Sequence, residues 1–340
     1  MAYDSERYAR QILFAGIGQT GQEKIARAHV VLVGCGADGS VIADRLVRAG
    51  VGRLIVIDRD FVELNNLQRQ VLFDEADVVA RLPKAVAAEH KLACINSTVT
   101  VRGVVADLNP ENAEELLRDA DLVMDGTDNF ATRYLINDVC IKHHIPWIYC
   151  GVVASYGMTM TILPHQTPCL RCVFPEAPMP GSTPTCDTVG IVNPIVSVVA
   201  GIAVAEGIKY LVGTGTINRG IIYVDVWHNT YDVLESGDPR PDCPTCGQGY
   251  FEYLEASSIQ ASSLCGRNAV QVQLSRTPVD LVSLAERLRT SGLPVAENEY
   301  LIHFQAEAWE ITLFRDGRAI VKGTDDLALA RSLCSRYIGL

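Results

Sequence analysis

The sequence predicts a doubly wound α/β protein with a mostly parallel, Rossmann-like sheet, followed by a small α+β domain. Three observations carry that prediction. An apolar, β-rich run at residues 30–33 stops at Gly34 and passes into a helical pattern, with Ile42, Ala43, Leu46 and Val47 on one face. Gly50 and Gly52 end that helix and residues 54–57 read as a second strand, so the segment has the strand–helix–strand form of a parallel sheet. A composition change near residues 247–265 then separates this region from a run of short strands with two helices.

Further strands are expected at residues 99–105, 122–124, 147–153, 159–162 and 221–224, and helices at 83–92, 132–143 and 195–211. The stretch 174–194 holds five prolines and little periodicity. It is too long for an ordinary connection, and loops of that kind are often functional. In the C-terminal part, strands are expected at 268–274, 300–306, 310–315 and 319–322, with Asp316–Gly317 as a hairpin turn that needs positive φ. Helices are expected at 278–289 and 325–338, the second with Leu329, Ala330, Leu333, Cys334 and Tyr337 on one face. The chain is thus read as a domain at 1–248, a linker at 249–265 and a small α+β domain at 266–340. It contains no internal repeat.

Composition narrows the function. A hydrophobic content of 48% fits a packed globular chain rather than a disordered one. No apolar run approaches the roughly 18 residues of a transmembrane helix, and the N-terminal MAYDSERYAR lacks the apolar stretch of a secretory signal. The expectation is a cytoplasmic protein with no membrane role. A net charge of −11 with no dominant basic segment argues against nucleic-acid binding. Eleven cysteines in a reducing compartment should be thiols, metal ligands or redox groups rather than a disulfide framework.

The first motif is Gly34-Cys-Gly36-Ala37-Asp-Gly39, placed after a strand and before a helix. Glycines let the backbone approach a phosphate, and a helix N-terminus offers free N–H groups. Asp58 ends the second strand, where an acidic residue accepts hydrogen bonds from ribose hydroxyls. Alone, this signature implies a nucleotide, and an NAD(P)-dependent oxidoreductase is one reading of it. The following residues do not suit a dehydrogenase. Asp58-x-Asp60 leads into Glu63-Leu-Asn-Asn66-Leu-Gln-Arg69-Gln70 and then Pro83-Lys84. Arg69 and Lys84 could neutralise charge as pyrophosphate leaves a triphosphate.

The second motif pairs Cys169-x-x-Cys172 with Cys243-x-x-Cys246. Two such knuckles suit a structural zinc held tetrahedrally by thiolates, with no open position for catalysis. Residues 173–242 lie between them, longer than a zinc-ribbon spacing, and a redox dithiol is the alternative. The third feature is Cys186 in Thr185-Cys-Asp-Thr188, inside the proline-rich stretch. It is read either as a thiolate nucleophile or as a plain loop cysteine. Cys35, Cys94, Cys140, Cys150, Cys265 and Cys334 are expected to be small buried hydrophobes.

The whole string Arg7-Tyr-x-Arg10-Gln11, GCGADGS, DxDxVExNNLQRQ, PKA, Asp125-Gly-Thr-Asp128-Asn129 and Arg133-Tyr-x-x-Asn137 resembles the ThiF/MoeB/HesA family of adenylyltransferases over about residues 3–247. That family is related to the adenylation domains of ubiquitin-activating enzymes. The LPKAVAA and TCDT segments and the C-terminal tail look like the longer bacterial ThiF proteins. The resemblance implies that residues 1–248 form an ATP-binding adenylation domain, that Asp58 binds ribose, and that Asn66, Arg69 and Lys84 hold the phosphates. It implies that Asp128 positions magnesium, that Gly34, Gly36, Ala37, Gly39, Asp60, Gln70 and Asn129 complete the nucleotide site, and that the cysteine quartet holds zinc. It further implies that Arg10 reaches the neighbouring site of a homodimer, and that the loop of Cys186 crosses the active site. The activity implied is adenylation of the terminal Gly-Gly carboxylate of a ubiquitin-like sulfur carrier, ThiS-like for thiamine thiazole synthesis, with a MoaD-like carrier of molybdopterin synthesis as alternative. A non-catalytic, zinc-stabilised scaffold for such a partner would explain the cysteines but not the phosphate-binding string. One departure stands out: the family usually has leucine where this chain has Asp38. A carboxylate in the first helical turn suits the helix dipole but repels a triphosphate unless it points away or helps hold a metal.

Overall fold

The computed structural model describes residues 6–178, 184–256, 261–264, 268–275 and 277–339. They form two compact units, one of residues 6–178 and 189–256, the other of the described residues within 184–188 and 261–339. The first unit opens with α1 (Ala9–Leu13), α2 (Gly18–Ile25), β1 (His29–Val33), α3 (Ala37–Ala49) and β2 (Arg53–Asp58). Then come α4 (Glu75–Val79), α5 (Lys84–Ile95), β3 (Thr100–Val105), α6 (Ala113–Leu117), β4 (Leu122–Asp125) and α7 (Phe130–Lys142). The remainder of this unit is β5 (Trp147–Val153), β6 (Tyr156–Ile162), α8 (Leu170–Val173), α10 (Asn193–Val212), β7 (Ile221–Asp225), β8 (Thr230–Leu234) and α11 (Glu252–Glu255), while the one-turn α9 (Cys186–Val189) begins in the second unit and ends at the first residue of the return to this one.

One sheet runs in the order β3-β2-β1-β4-β5-β6-β7-β8. Strands β3, β2, β1, β4 and β5 are parallel, and β6 to β8 extend the sheet antiparallel. This is the doubly wound architecture expected. The parallel strands read as continuous apolar runs because both faces are covered. Along β1, Val30 and Leu32 enter the core beneath α3, α5 and α10, whereas Val31 and Val33 enter the core beneath α6 and α7. The chain leaves β1 toward β2 on one side and β4 on the other, so the switch point lies between β1 and β4. Ligands of such sheets bind in the crevice at that point.

Local chemistry sets the ends of these elements. Gly50 closes α3 in the left-handed conformation at φ 85°, its N–H bonded to the Leu46 and Val47 carbonyls. A Cβ there would also lie 2.4 Å from the Tyr8 ring. Tyr8 is itself held by the Asn96 Nδ2, which donates to its hydroxyl at 2.7 Å. The strands and long helices fall close to their expected places. The short α1, α2, α4 and α6 and the edge strand β8 carry no period strong enough to read.

Helix α10 corrects one expectation. Its 20 residues are long and apolar enough to cross a bilayer, contrary to the reading that no apolar run approaches that length. Its Ile195, Val196, Val199, Ala200, Ala203 and Val204 are instead buried in the core, and the helix packs on α3, β5 and β6.

The second unit carries β9 (Ala261–Leu264), β10 (Ala269–Gln273), α12 (Leu281–Thr290), β11 (Val295–Glu297), β12 (Leu301–Ala306), β13 (Trp309–Phe314), β14 (Arg318–Lys322) and α13 (Leu327–Tyr337). Its antiparallel sheet has the order β11-β12-β13-β14-β10-β9. Residues from α12 and α13, among them Leu284, Leu288, Ala330, Leu333 and Cys334, share one core with this sheet. Gly317 turns the β13–β14 hairpin at φ 85°, as the Asp-Gly pair predicts.

Candidate functional site

The turn from β1 to α3 is built on two glycines. Gly34 has φ 86°, and a Cβ on it would lie 2.5 Å from the Gly126 carbonyl oxygen. A Cβ on Gly39 would lie 2.0 Å from the Gly34 carbonyl oxygen. The β1–α3 turn and the β4–α7 turn therefore touch backbone to backbone at the switch point. Gly36 is the N-cap of α3 and Ala37 its first residue, with no side-chain cap over the free N–H groups.

Asp58 ends β2 and ties its neighbours to this turn. Its Oδ2 accepts the Cys35 N–H at 2.6 Å and its Oδ1 accepts the Asp60 N–H at 2.7 Å. Burial pushes the Asp58 carboxyl up, while Lys84 and the two N–H groups pull it down. Lys84 is the first residue of α5; its buried Nζ lies 3.3 Å from Asp60 Oδ2 and its N–H donates to the Asp60 carbonyl at 2.9 Å. Asn66 is buried and caps its own turn, accepting the Glu63 N–H at 3.0 Å. Arg69 is half-buried and donates from Nη1 to the Asn65 carbonyl at 3.0 Å. Gln70 is buried, with Nε2 3.9 Å from where a Gly36 Cβ would stand and with Oε1 lacking a hydrogen-bond partner. The structure thus brings Asp58, Asp60, Lys84 and Gln70 to the glycine turn.

On the β4 side, Asp128 is exposed in the loop before α7. Asn129 is the N-cap of α7, its side chain accepting the Thr132 N–H at 2.9 Å. Two residues of that quoted string, Asp125 and Arg133, had no site role in the sequence reading, yet they anchor this half of the site. Asp125 is fully buried and accepts from the Thr127 N–H at 2.8 Å and the Thr127 hydroxyl at 2.7 Å. Arg133 donates from Nε to Asp125 Oδ2 at 2.9 Å, and from Nη2 to the Thr127 and Cys150 carbonyls at 2.6 and 3.0 Å. Its guanidinium also lies 4.9 Å from the Tyr149 ring centre. A charged pair, one member at the end of an apolar strand and the other in the first turn of the next helix, was the available signal. Asp38 joins this group. It is buried in the first turn of α3, and burial, against the pull of Arg133, pushes its carboxyl up to about 7.

The four paired cysteines converge. The Cys169–Cys172, Cys169–Cys243 and Cys172–Cys246 sulfur pairs are 3.9, 3.6 and 3.3 Å apart, and all four sulfurs lie within 4.8 Å of one another. Tetrahedral zinc–thiolate bonds of about 2.3 Å imply sulfur separations of about 3.8 Å, so the quartet fits such an ion. The Arg240 N–H points at Cys172 Sγ at 3.5 Å. Helix α7 places both knuckles: Asn137 Oδ1 accepts the Leu170 N–H at 2.9 Å, and Asp138 accepts from Thr245 Oγ1 and the Tyr253 N–H at 3.2 and 2.8 Å.

The other predicted residues lie elsewhere. Arg10 is exposed on α1. Cys186 is half-buried in the second unit and opens the one-turn α9, where the composition suggested no helix. The Thr188 N–H bonded to the Thr185 carbonyl at 3.1 Å starts that turn; residues 179–183 of the same stretch lie outside the described ones. Cys35, Cys140, Cys150 and Cys334 are buried as expected. Cys94 is exposed, because its position on α5 faces away from the sheet-facing Leu92, and Cys265 lies outside the described residues.

The buried Asp125–Arg133 pair yields a stability prediction. Arg133→Ala leaves Asp125 without its cation and should cost about 3–5 kcal/mol, measured by urea unfolding. The Asp125→Ala, Arg133→Ala double variant should lose less than the sum of the two single changes. An Arg133→Ala cost below about 1 kcal/mol would contradict the pairing.

Comparison with known proteins extends the picture. The chain is 45% identical over 336 residues to the sulfur carrier protein ThiS adenylyltransferase of Bacillus subtilis, covering 98% of this chain and 99% of that one. It is 37% identical to a sulfur carrier protein adenylyltransferase of Thermus thermophilus, over 77% of this chain and 96% of that one. Among solved structures, Escherichia coli MccB with MccA-N7isoASN superposes with a TM-score of 0.64 at 24% identity, over 72% of this chain and 75% of that one, and so shares the fold. The ThiF family pattern matches residues 8–245, and on that match, with the turn and cysteine quartet in place, the chain belongs to the ThiF family.

Proposed function

We propose that the protein is an ATP-dependent adenylyltransferase that activates the C-terminal Gly-Gly carboxylate of a ThiS-like, ubiquitin-like sulfur carrier in the cytoplasm. One observation carries this reading: the glycine turn, Asp58 and Lys84 meet at the switch point in a chain that matches the Bacillus ThiS adenylyltransferase nearly end to end. A MoaD-like carrier is the second reading, favoured by the adenylyltransferase and sulfurtransferase MOCS3 relatives, such as that of Anopheles gambiae at 35% identity over 82% of this chain.

In the proposed step, a carboxylate oxygen of the carrier attacks the α-phosphorus of ATP. The new bond is the acyl–phosphate bond, the bond broken joins the α-phosphorus to the bridging oxygen, and pyrophosphate leaves with the negative charge. Asp58 has lone pairs left after its two N–H partners and accepts from the ribose hydroxyls. Lys84 and Arg69, with Arg10 of the partner subunit, offset the charge of the departing pyrophosphate. Gly34, Gly36, Ala37 and Gly39 offer backbone to the phosphates, and Asp60, Asn66, Gln70 and Asn129 hold the surrounding turns. Asp128 would hold magnesium, which supplies charge neutralisation at the phosphates. Residues 1–248 perform this step, with 266–340 as a separate C-terminal domain.

Asp128→Ala and Arg10→Ala should each abolish carrier-dependent ATP–pyrophosphate exchange while leaving the fold intact. Mixing the two inactive proteins should restore some exchange, because each heterodimer holds one site with both residues. Wild-type exchange by Asp128→Ala sinks the assignment, and no recovery under proven subunit exchange shows that Arg10 acts in its own subunit.

The cysteine quartet is proposed to hold one zinc ion per chain in a structural role. Elemental analysis should find it, and Cys243→Ser should lose the metal and melt at a lower temperature, since metal binding is coupled to folding. A metal-free protein of unchanged stability refutes this.

Cys186 is proposed to act after adenylation, as a nucleophile toward the activated carrier. Cys186→Ser should then keep pyrophosphate exchange and slow formation of the carrier thiocarboxylate. Thiocarboxylate formation at the wild-type rate makes Cys186 a bystander.

A further inference from the structure

We propose that Asp38 is a positioning residue of the ATP site: its carboxyl is neutral when phosphates occupy the β1–α3 turn, so ATP binding weakens as this group ionises. The inference deepens the ATP reading above and rests on it.

Asp38 is the second residue of α3, directly behind the glycine turn that receives the phosphates in that reading. Its side chain is 5% exposed, and its Oδ1 has no hydrogen-bond partner. A buried ionised carboxylate needs a cation or several donors. The cation facing it is Arg133, whose Nε and Nη2 are given to Asp125, Thr127 and Cys150. The other groups facing it are Asp125 and Asp128 from the β4–α7 turn and Cys150 and Tyr149 from β5. An ionised Asp38 would thus set three carboxylates against one guanidinium, before any triphosphate arrives. A neutral Asp38 leaves Arg133 balanced by Asp125 and adds no charge behind the phosphates.

Burial pushes this carboxyl up to about 7, so it is neutral below that pH and charged above it. ATP adds negative charge beside it and favours the neutral form, so binding takes up a proton and weakens as pH rises through that value. The leucine usual at this position in the family carries no charge at any pH, and a chain with leucine there lacks the effect.

The test measures the KM for ATP in pyrophosphate exchange, and ATP affinity by equilibrium binding, from about pH 6 to 9 at fixed magnesium and ionic strength. Wild type, Asp38→Asn and Asp38→Leu are compared, so ionisation of ATP itself is common to all three. From pH 7 to 8 the wild-type KM should rise about fivefold relative to either variant, as expected for a single group titrating near 7. The kcat of the three should keep one shared pH profile, which a purely structural defect would not produce. Parallel KM profiles in all three proteins overturn the inference while leaving ATP binding in place. If Asp38→Asn does not fold, Asp38→Leu decides in the same way. Absence of ATP binding at every pH overturns the ATP reading itself, and this inference with it.

Discussion

Backbone-to-backbone contact between the β1–α3 and β4–α7 turns is the constraint from which the site follows. Gly34, Gly39 and Gly126 leave no room for a Cβ where these turns meet, so only glycine permits the approach. That approach brings the free N–H groups of α3 beside Asp58 and Lys84 on one flank and Asp125 and Arg133 on the other. A side chain at any of the three would push the turns apart and separate the two halves of the crevice.

Helix α7 turns this local contact into a longer connection. Near its start, Arg133 binds Asp125 and the Thr127 and Cys150 carbonyls. One turn later, Asn137 and Asp138 hold the segments that carry the two cysteine knuckles. Burial pushes the Asp138 carboxyl up to about 6 against those donors, which marks how deeply this polar link sits. The same helix thus orders the β4–α7 turn and the cysteine quartet, which ties residues far apart in sequence into one unit.

Much of this was legible in the chain itself. The apolar runs of β1, β2 and β4 have to be covered on both faces, and that demand dictates a parallel sheet with helices on each side. The glycine turn, the acidic end of β2 and the cation at Pro83-Lys84 were readable together because a nucleotide would need backbone N–H groups, a ribose acceptor and a positive charge. The cysteine pairs were readable as one cluster able to hold a metal even though residues 173–242 separate them. What escaped were short elements such as α1, α4 and β8, whose few residues cannot express a period, and the turn of α9, which hydrogen bonds between Thr185 and Thr188 start. Arg133 escaped because its role depends on tertiary partners at β4 and β5. Asp38 was visible as an oddity, but its burial among Asp125, Arg133 and Cys150 is a property of the folded chain alone.

The central claim is that the chain joins AMP to the end of a small carrier protein. The direct measurement is the intact mass of a candidate carrier ending in Gly-Gly after incubation with this protein, ATP and magnesium, with sulfur withheld. The account predicts carrier heavier by one adenylyl group on its terminal glycine, one pyrophosphate released for each adenylate formed, and no product when the two glycines are removed. Carrier of unchanged mass with ATP unconsumed, across ThiS-like and MoaD-like carriers alike, would contradict it.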